Sequence, residues 1–409
     1  MAVESMSLET SESAAPPRGF SLFEVLAEPE NLADPYPVYA WLQRNHPVYL
    51  DPDGTAYVSR YADVHHIKSP DLRDGLSDDH ASHTLRNINL SMIKAVPPKH
   101  TELRRVAAAA FDHSLLARSA ASIRRVAEDL AAGISHDLRQ GHVVDLHNAY
   151  SVRLTQRTSA IVFGIPDDDF DMLAPVPARM FEALYPKRTP DSSADADAAS
   201  RFLYSYIEDG IRTRRFVPDA GFDRIIRAGD RTPFDDVVRL CWLLWWGSYT
   251  SIATAVTLSV LNLLENPDSA PMLRTRTSDW IEESLRFRSP HIINAANLTT
   301  RRELTIGDTV LPAGTPVRFM TGAMDRDPDA FERADVFDPT RPNRPHHVAF
   351  GGGVHTCIGA QLARMELSVA LTTILDHLPP FRIAGQPTWR PYSTQRICLS
   401  LPITVEELP

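Results

Sequence analysis

The 409-residue chain contains one unusual segment, Phe350-Gly351-Gly352-Gly353-Val354-His355-Thr356-Cys357-Ile358-Gly359. Three consecutive glycines are costly inside a helix or strand because each loses much backbone entropy, so the segment predicts an open loop. Apolar residues then recur near helical spacing, which predicts a helix that begins close to Cys357. Free N–H groups and the helix dipole favour a thiolate there. A lone cysteine is more often a small buried apolar residue, so the surrounding spacing has to decide between these interpretations.

The spacing F-x-x-G-x-H-x-C-x-G resembles the haem-ligand loop of the cytochrome P450 family, and the resemblance extends over nearly the whole chain. It implies a mainly α fold with small β-sheets and a long central helix that crosses over the haem. It also implies that Cys357 binds the iron of haem b (iron protoporphyrin IX), and that further contacts come from Phe350, Gly353, His355 and Gly359. A thiolate ligand donates electron density to haem iron and favours O–O cleavage.

Composition narrows the class of protein. The formal net charge is −10, which argues against a nucleic-acid partner. The three cysteines form no CxxC pair, so neither a disulfide framework nor a zinc site is expected, and a reducing, cytoplasmic setting is favoured. Residues 1–18 are polar and lack an apolar segment, which predicts a disordered tail and no signal or membrane anchor. Residues 19–409 are expected to form a single domain.

His100 and Arg104 lie four residues apart in a predicted helix that begins near Pro97-Pro98 and therefore share one helical face. From the residues alone, a solvated face is the simpler interpretation. The resemblance implies instead that this pair holds the haem propionates, and two cationic groups suit two carboxylates.

Residues 240–264 form a run of 25 residues without a charge, which is long enough for a transmembrane helix. A polar centre and the lack of aromatic residues at both ends argue against that, so we expect one long helix, residues 233–265, buried in the core. No membrane association is expected.

The centre of this helix resembles the family pattern of a small residue, glycine, any residue, an acid and threonine. The corresponding residues are Trp246-Gly247-Ser248-Tyr249-Thr250. Gly247 and Thr250 match, and they would make room for dioxygen and deliver a proton to it. Tyr249 replaces the acid and, with a pKa of about 10, is a poor proton relay. The bulk of Trp246 should crowd the space over the iron.

Glu283 and Arg286 form an E-x-x-R pair at helical spacing, which by itself is a common solvated ion pair. The resemblance implies a structural network in which Arg341 is the third member. It also places Trp246, Ile293 and Asn294 in the substrate pocket, together with a mobile loop over residues 77–91. A second polar stretch, residues 189–195, is expected to be a surface loop, either a lid or a passive linker.

The implied function is a monooxygenase that oxidises a small organic substrate in secondary metabolism. The chain has no G-x-G-x-x-G after a predicted strand, so electrons must come from outside, as from ferredoxin and ferredoxin reductase. Loss of the acid leaves two alternatives open. One is a different haem-thiolate reaction, namely radical coupling, nitration or peroxide-driven oxidation. The other is a haem-binding partner protein without oxygenase turnover.

Overall fold

Helices dominate the structure, a computed structural model that describes residues 21–69, 71–74, 82–185, 187–293, 298–341 and 346–406. The predicted tail, residues 1–18, lies outside the described residues. The α-helices in the described part of the chain are α1 (Leu22–Leu26), α2 (Pro29–Ala33), α3 (Tyr36–Asn45), α4 (His83–Leu90), α5 (Lys99–Ala107), α6 (His113–Arg139), α7 (Arg153–Phe163), α8 (Phe170–Leu173), α9 (Val176–Phe181), α10 (Pro190–Thr213), α11 (Gly221–Ala228), α12 (Phe234–Gly247), α13 (Thr250–Glu265), α14 (Ala270–Thr275), α15 (Thr277–Phe287), α16 (Thr321–Met324) and α17 (Ala360–His377).

The strands are short and form small sheets. They are β1 (Val48–Leu50), β2 (Ala56–Val58), β3 (Leu72–Asp74), β4 (Val144–Asp145), β5 (Leu298–Thr300), β6 (Leu304–Ile306), β7 (Thr309–Leu311), β8 (Pro316–Phe319), β9 (Phe381–Ile383), β10 (Thr388–Trp389), β11 (Cys398–Ser400) and β12 (Pro402–Val405). The largest sheet has the order β1-β2-β8-β5-β3, and its β2–β8 pair is parallel. β1 and β2 form a hairpin around Asp53-Gly54, with Val48 opposite Val58. A mainly α fold with small β-sheets is therefore confirmed.

The largest hydrophobic cluster lies where α6, α7, α12, α13, α15 and α17 pack together. α6 and α13 both pack against α17, the helix that follows the glycine-rich loop. Side chains such as Trp242, Val256 and Leu371 are fully buried there. The loop that carries Cys357 is thus attached to the largest part of the hydrophobic core.

The expected single helix over residues 233–265 is interrupted. α12 ends at Gly247 and α13 begins at Thr250, and Tyr249 between them has φ −108° and ψ −74°. A Gly-Ser pair is a usual site for a sharp change in helix direction, and here Gly247-Ser248 directly precedes Tyr249. Phe234–Glu265 is the only segment in the described residues that is long and apolar enough to cross a membrane. In its most apolar stretch of 18 residues, 61% is buried inside the protein, as in a core helix.

Two loop predictions are wrong. Residues 83–90 of the predicted mobile loop form α4, with Ser82 as its N-cap accepting from the Leu85 amide, and residues 75–81 lie outside the described residues. Residues 190–195 of the second predicted loop form the first turns of α10. Thr189 and Ser192 build a capping box with bonds of 3.0 and 3.1 Å, and Pro190 occupies the first turn. The threonine, serine and proline residues that suggested a loop are in fact typical of a helix start.

Candidate active site

The glycine-rich loop presents Cys357 immediately before α17. Gly351 and Gly353 have φ of +69° and +70°, values that suit only glycine well. The Cys357 amide donates to the Phe350 carbonyl at 2.9 Å, which closes the loop. Gly359 is the N-cap of α17, so Cys357 lies two residues before the N-cap rather than in the first turn of the helix. An added Cβ on Gly359 would lie 3.9 Å from the Cys357 Sγ, so the glycine keeps the space beside the sulfur open.

The Cys357 thiol is open to an internal cavity of about 370 Å³ and is not packed in the core. Burial raises the pKa of this thiol, whereas a hydrogen bond from the Gly359 amide and the charges of Arg104 and Arg364 act in the opposite direction. The amide near the helix start therefore acts in the predicted direction, but burial outweighs it in the protein without a bound metal ion. A bound metal ion would displace the proton.

Basic side chains gather at one edge of the same cavity. His100 and Arg104 share a face of α5, and both line the cavity together with His355 from the glycine-rich loop. The rings of His100 and His355 meet with their centroids 4.5 Å apart at 69°. His100 is only 2% exposed. This edge can bind carboxylates through charge-assisted hydrogen bonds.

The donor set fits a haem. An open thiol can bind the iron, and the basic edge can hold the two propionates. Gly247 at the end of α12 also lines the cavity, and an added Cβ there would meet nothing within 4 Å. Phe350, Gly351 and Gly359 lie on the cavity wall beside the sulfur. Gly353 is not among the wall residues and instead lies against Lys68.

The helix break changes which hydroxyl faces the cavity. The wall residues contributed by the α12–α13 segment are Leu243, Leu244, Trp246, Gly247, Ser248, Ser251, Ile252 and Ala255. Tyr249 and Thr250 are not among them. The Thr250 side chain is buried, and its Oγ1 has no partner within the described residues. Ser251, the second residue of α13, is on the wall instead, one position after the residue that the motif indicated.

Ser251 is paired with a residue that the sequence did not single out. Its Oγ lies 3.0 Å from Nε2 of His291, which also lines the cavity. Burial lowers the pKa of His291 to about 4, so the imidazole is uncharged at neutral pH. Burial likewise raises the pKa of Tyr249, which keeps that phenol protonated. The only signal for His291 was its place directly after Pro290, beyond the end of α15.

One of the predicted pocket residues, Ile293, is placed differently from the expectation. Ile293 is fully buried in a separate hydrophobic cluster with Tyr39, Leu42 and Met320, and it is not on the cavity wall. Asn294 lies outside the described residues.

Trp246 is on the wall but only 5% exposed. Its ring packs against Phe181, with centroids 4.9 Å apart, and against Trp242, at 5.6 Å. Part of the Trp246 ring is therefore taken up by aromatic packing, and the expected crowding over the iron stays a prediction.

Glu283, Arg286 and Arg341 lie together away from the cavity. Arg286 donates to Glu283 through Nε at 2.9 Å and through Nη2 at 2.8 Å, and both side chains are at most 1% exposed. Nη2 of Arg341 is 3.5 Å from the same carboxylate. Arg286 also donates to the carbonyls of Asp325 and Ala334. The cluster fixes α15 to the segment that leads into the glycine-rich loop.

A second ion-pair cluster, not predicted from the sequence, links α15 to α17. Arg364 donates to Glu282 at 2.6 and 2.9 Å, and His347 lies 3.2 Å from the same carboxylate. Burial would raise the pKa of Glu282, but hydrogen bonds from Arg364 and His347 lower it to about 2. The Arg364 guanidinium also lies 4.5 Å from the centre of the Phe350 ring. This cluster therefore supports the loop that carries Cys357.

Comparison with known proteins gives consistent results. The sequence model of the family described as "Cytochrome P450" matches residues 272–402. The Vitamin D(3) 25-hydroxylase of Pseudonocardia autotrophica is 30% identical over 86% of this chain and 88% of that protein. Cytochrome P450 BJ-3 of Bradyrhizobium diazoefficiens is 29% identical over 93% of this chain and 95% of that protein.

Solved structures show the same likeness. The structure of P450BioI in complex with an acyl carrier protein ligated to hexadec-9Z-enoic acid has a TM-score of 0.84. It is 25% identical and covers 92% of this chain and 100% of that one. CalO2 has a TM-score of 0.83 at 25% identity, covering 93% and 98% of the two chains.

Proposed function

This chain belongs to the cytochrome P450 family, and on that premise we propose that it takes electrons from ferredoxin and ferredoxin reductase to oxidise a small, largely apolar substrate in secondary metabolism. Members of the family are haem-thiolate monooxygenases, so the chain is an oxidoreductase that requires haem and a redox partner. The observation that carries the proposal is the open thiol of Cys357 in a largely apolar cavity with a basic edge. The proposal includes a single domain over residues 19–409 and a cytoplasmic location, without membrane or nucleic-acid partners.

We assign the cofactor as haem b. Cys357 would bind the iron, and His100, Arg104 and His355 would hold the propionates. Phe350, Gly353 and Gly359 would shape the loop around the sulfur. When bound, the haem supplies the iron centre at which dioxygen is activated with external electrons. We assign the cluster of Glu283, Arg286 and Arg341 a structural role.

The residues of the central helix would position the reactants. Gly247 leaves open space at the cavity wall, where any side chain would project inward. Ser251 supplies the hydroxyl that faces the cavity, in the role that the motif comparison gave to Thr250. Tyr249 holds its proton at neutral pH because burial raises its pKa, so it does not replace the missing acid. Trp246 is an aromatic part of the substrate wall.

The test is to supply electrons and follow both cofactor and product. We expect the purified protein to carry haem, to form a thiolate-type carbonyl complex when reduced, and to consume NADPH with a surrogate ferredoxin pair in step with formation of an oxygenated product. Haem binding without a thiolate-type carbonyl complex would refute the assignment of Cys357. NADPH consumption that yields only hydrogen peroxide with every substrate tried would refute the monooxygenase proposal.

One observation favours a second candidate. Within the described residues, the α12–α13 segment contributes no acidic side chain to the cavity wall, so the usual source of protons beside the hydroxyl is missing there. A peroxide-driven oxidation or a radical coupling does not need such a source. Faster product formation with hydrogen peroxide alone than with the ferredoxin pair would favour this candidate. A haem protein that shows neither activity would be a binding partner without turnover.

A further inference from the structure

Three polar side chains, Ser251, His291 and Gln395, lie on segments of the cavity wall that contact one another. They come from the start of α13, from the chain after Pro290 and from residues 393–395. Ser251 and His291 form a direct hydrogen bond of 3.0 Å across two of these segments. Gln395 contributes a carboxamide from the third.

Backbone hydrogen bonds hold this part of the wall in place. His291 and Gln395 are opposite each other in an antiparallel bridge. The Arg396 amide donates to the Pro290 carbonyl at 2.9 Å, and the Ile292 amide donates to the Thr394 carbonyl at 3.0 Å. The hydroxyl of Thr321 donates to the His291 carbonyl at 3.1 Å. The imidazole and the carboxamide are therefore carried by one fixed piece of backbone.

None of the three side chains carries a charge at neutral pH. Burial lowers the pKa of His291 to about 4, so the ring has one donor and one acceptor nitrogen. Gln395 is 7% exposed, and its Oε1 has no hydrogen-bond partner within the described residues. A buried carboxamide oxygen without a partner is unfavourable and would be satisfied by a donor on a ligand. The pair and the unpartnered oxygen are independent observations that point to the same part of the cavity.

We propose that Ser251, His291 and Gln395 form an uncharged hydrogen-bonding subsite that binds a hydroxyl, carbonyl or amide group of an otherwise apolar substrate. This rests on the proposed function, because it names the substrate class of the same cavity. A carboxylate at the subsite would lose its hydration without meeting a cation, which is costly. The basic wall residues His100 and Arg104 lie on the edge assigned to the propionates. The subsite therefore selects neutral substrates over free acids.

Direct binding measurements test the subsite without relying on turnover. Octan-1-ol and octanoate share the same chain and differ in charge at the polar end, so we would titrate each into haem-loaded protein by isothermal calorimetry. We expect octan-1-ol to bind more tightly than octanoate. His291→Phe keeps a ring of similar size and removes both nitrogens, so it should weaken octan-1-ol binding about three- to tenfold, the loss expected for one or two neutral hydrogen bonds. Ser251→Ala should weaken it in the same direction and protects the test against misfolding of the first variant.

Ser248→Ala is the matched control. It removes another hydroxyl from the same wall, one that donates to the Trp245 carbonyl at 3.0 Å and lies outside the subsite. It should leave the preference for octan-1-ol unchanged. Tighter binding of octanoate by the unmodified protein, no binding of octan-1-ol, or unchanged octan-1-ol binding in His291→Phe and Ser251→Ala would each overturn the proposal. If the preference is found but the electron-supplied protein forms no oxygenated product, the proposed function fails and the subsite stands.

Discussion

Glu283→Gln should destabilise the protein far more than the same substitution at an exposed helix position. The Glu283 carboxylate is fully buried and accepts from Arg286 at 2.8 and 2.9 Å and from the Asp338 amide at 2.9 Å, with Arg341 at 3.5 Å. Glutamine keeps the shape but removes the charge, so two buried guanidinium groups would lose their counter-ion. Breaking a buried ion pair by removing one partner costs about 3–5 kcal/mol.

That loss is a large part of the roughly 5–15 kcal/mol by which a folded protein is stable. The assay is equilibrium urea unfolding of the haem-loaded protein, followed by tryptophan fluorescence. Trp280 on α15 is fully buried and packs against Phe337 with ring centroids 5.2 Å apart, so this region contributes to the fluorescence change of the six tryptophans on unfolding. Haem content would be measured in parallel, because a bound cofactor adds to apparent stability by mass action.

Glu208→Gln is the matched control, since Glu208 pairs with Arg212 one turn later on α10 at 2.8 Å and both side chains are exposed. This exposed pair should contribute no more than about 0.5 kcal/mol. If Glu283→Gln cost less than about 1 kcal/mol, or no more than Glu208→Gln, the argument that buried charge compensation fixes α15 to the loop would be refuted.

Further substitutions test other parts of the site. Cys357→Ser should abolish the thiolate-type carbonyl spectrum, and an unchanged spectrum would contradict the iron-ligand assignment. Cys398→Ala, at a cysteine that is not on the cavity wall, should retain the spectrum. Gly247→Ala should leave stability unchanged or raise it by up to about 1 kcal/mol, because Gly247 is helical and its Cβ would meet nothing, yet weaken substrate binding. Gly164→Ala, the contrasting control, should lower the free energy of unfolding, since φ is +77° and the added Cβ would lie 2.4 Å from the Ala220 Cβ. Equal free energies of unfolding in urea for the two glycine variants would contradict this argument. Glu282→Gln tests the link between α15 and α17. Because the folded pKa of Glu282 is lowered from 4.5 to about 2, its contribution is present above pH 4.5 and is lost as the pH falls toward 2. The variant should be less stable at pH 7 by up to roughly 3 kcal/mol and should match the unmodified protein near pH 2, and a deficit that did not shrink on acidification would exclude the ionic explanation.

The features that the sequence predicted well depend on local spacing. The glycine-rich loop around Cys357 is one such feature, because its turns need glycine at particular positions whatever packs against them. The shared face of His100 and Arg104 is another, since four-residue spacing on a helix fixes it.

The features that were missed depend on contacts between distant parts of the chain. The identity of the hydroxyl on the cavity wall changes from Thr250 to Ser251 because the helix is interrupted after Gly247. The partner of Ser251 is His291, 40 residues away, on a segment whose position depends on its bridge to Gln395. Composition gave no signal for either contact. The start of α10 was missed for a different reason, since the capping pattern of Thr189 and Ser192 was present but was outweighed by polar composition.

The interruption between α12 and α13 has a consequence for building chimaeras with relatives. In one continuous helix, the direction of one side chain determines the directions of all the side chains that follow. Here the helix is interrupted at Ser248 and Tyr249, so the side-chain directions in α12 do not determine those in α13. A chimaera that joined residues up to 247 of this chain to the residues from 250 onward of a relative with a continuous helix would turn the side chains of one half away from the cavity. Residues 246–252 should therefore be exchanged as one block.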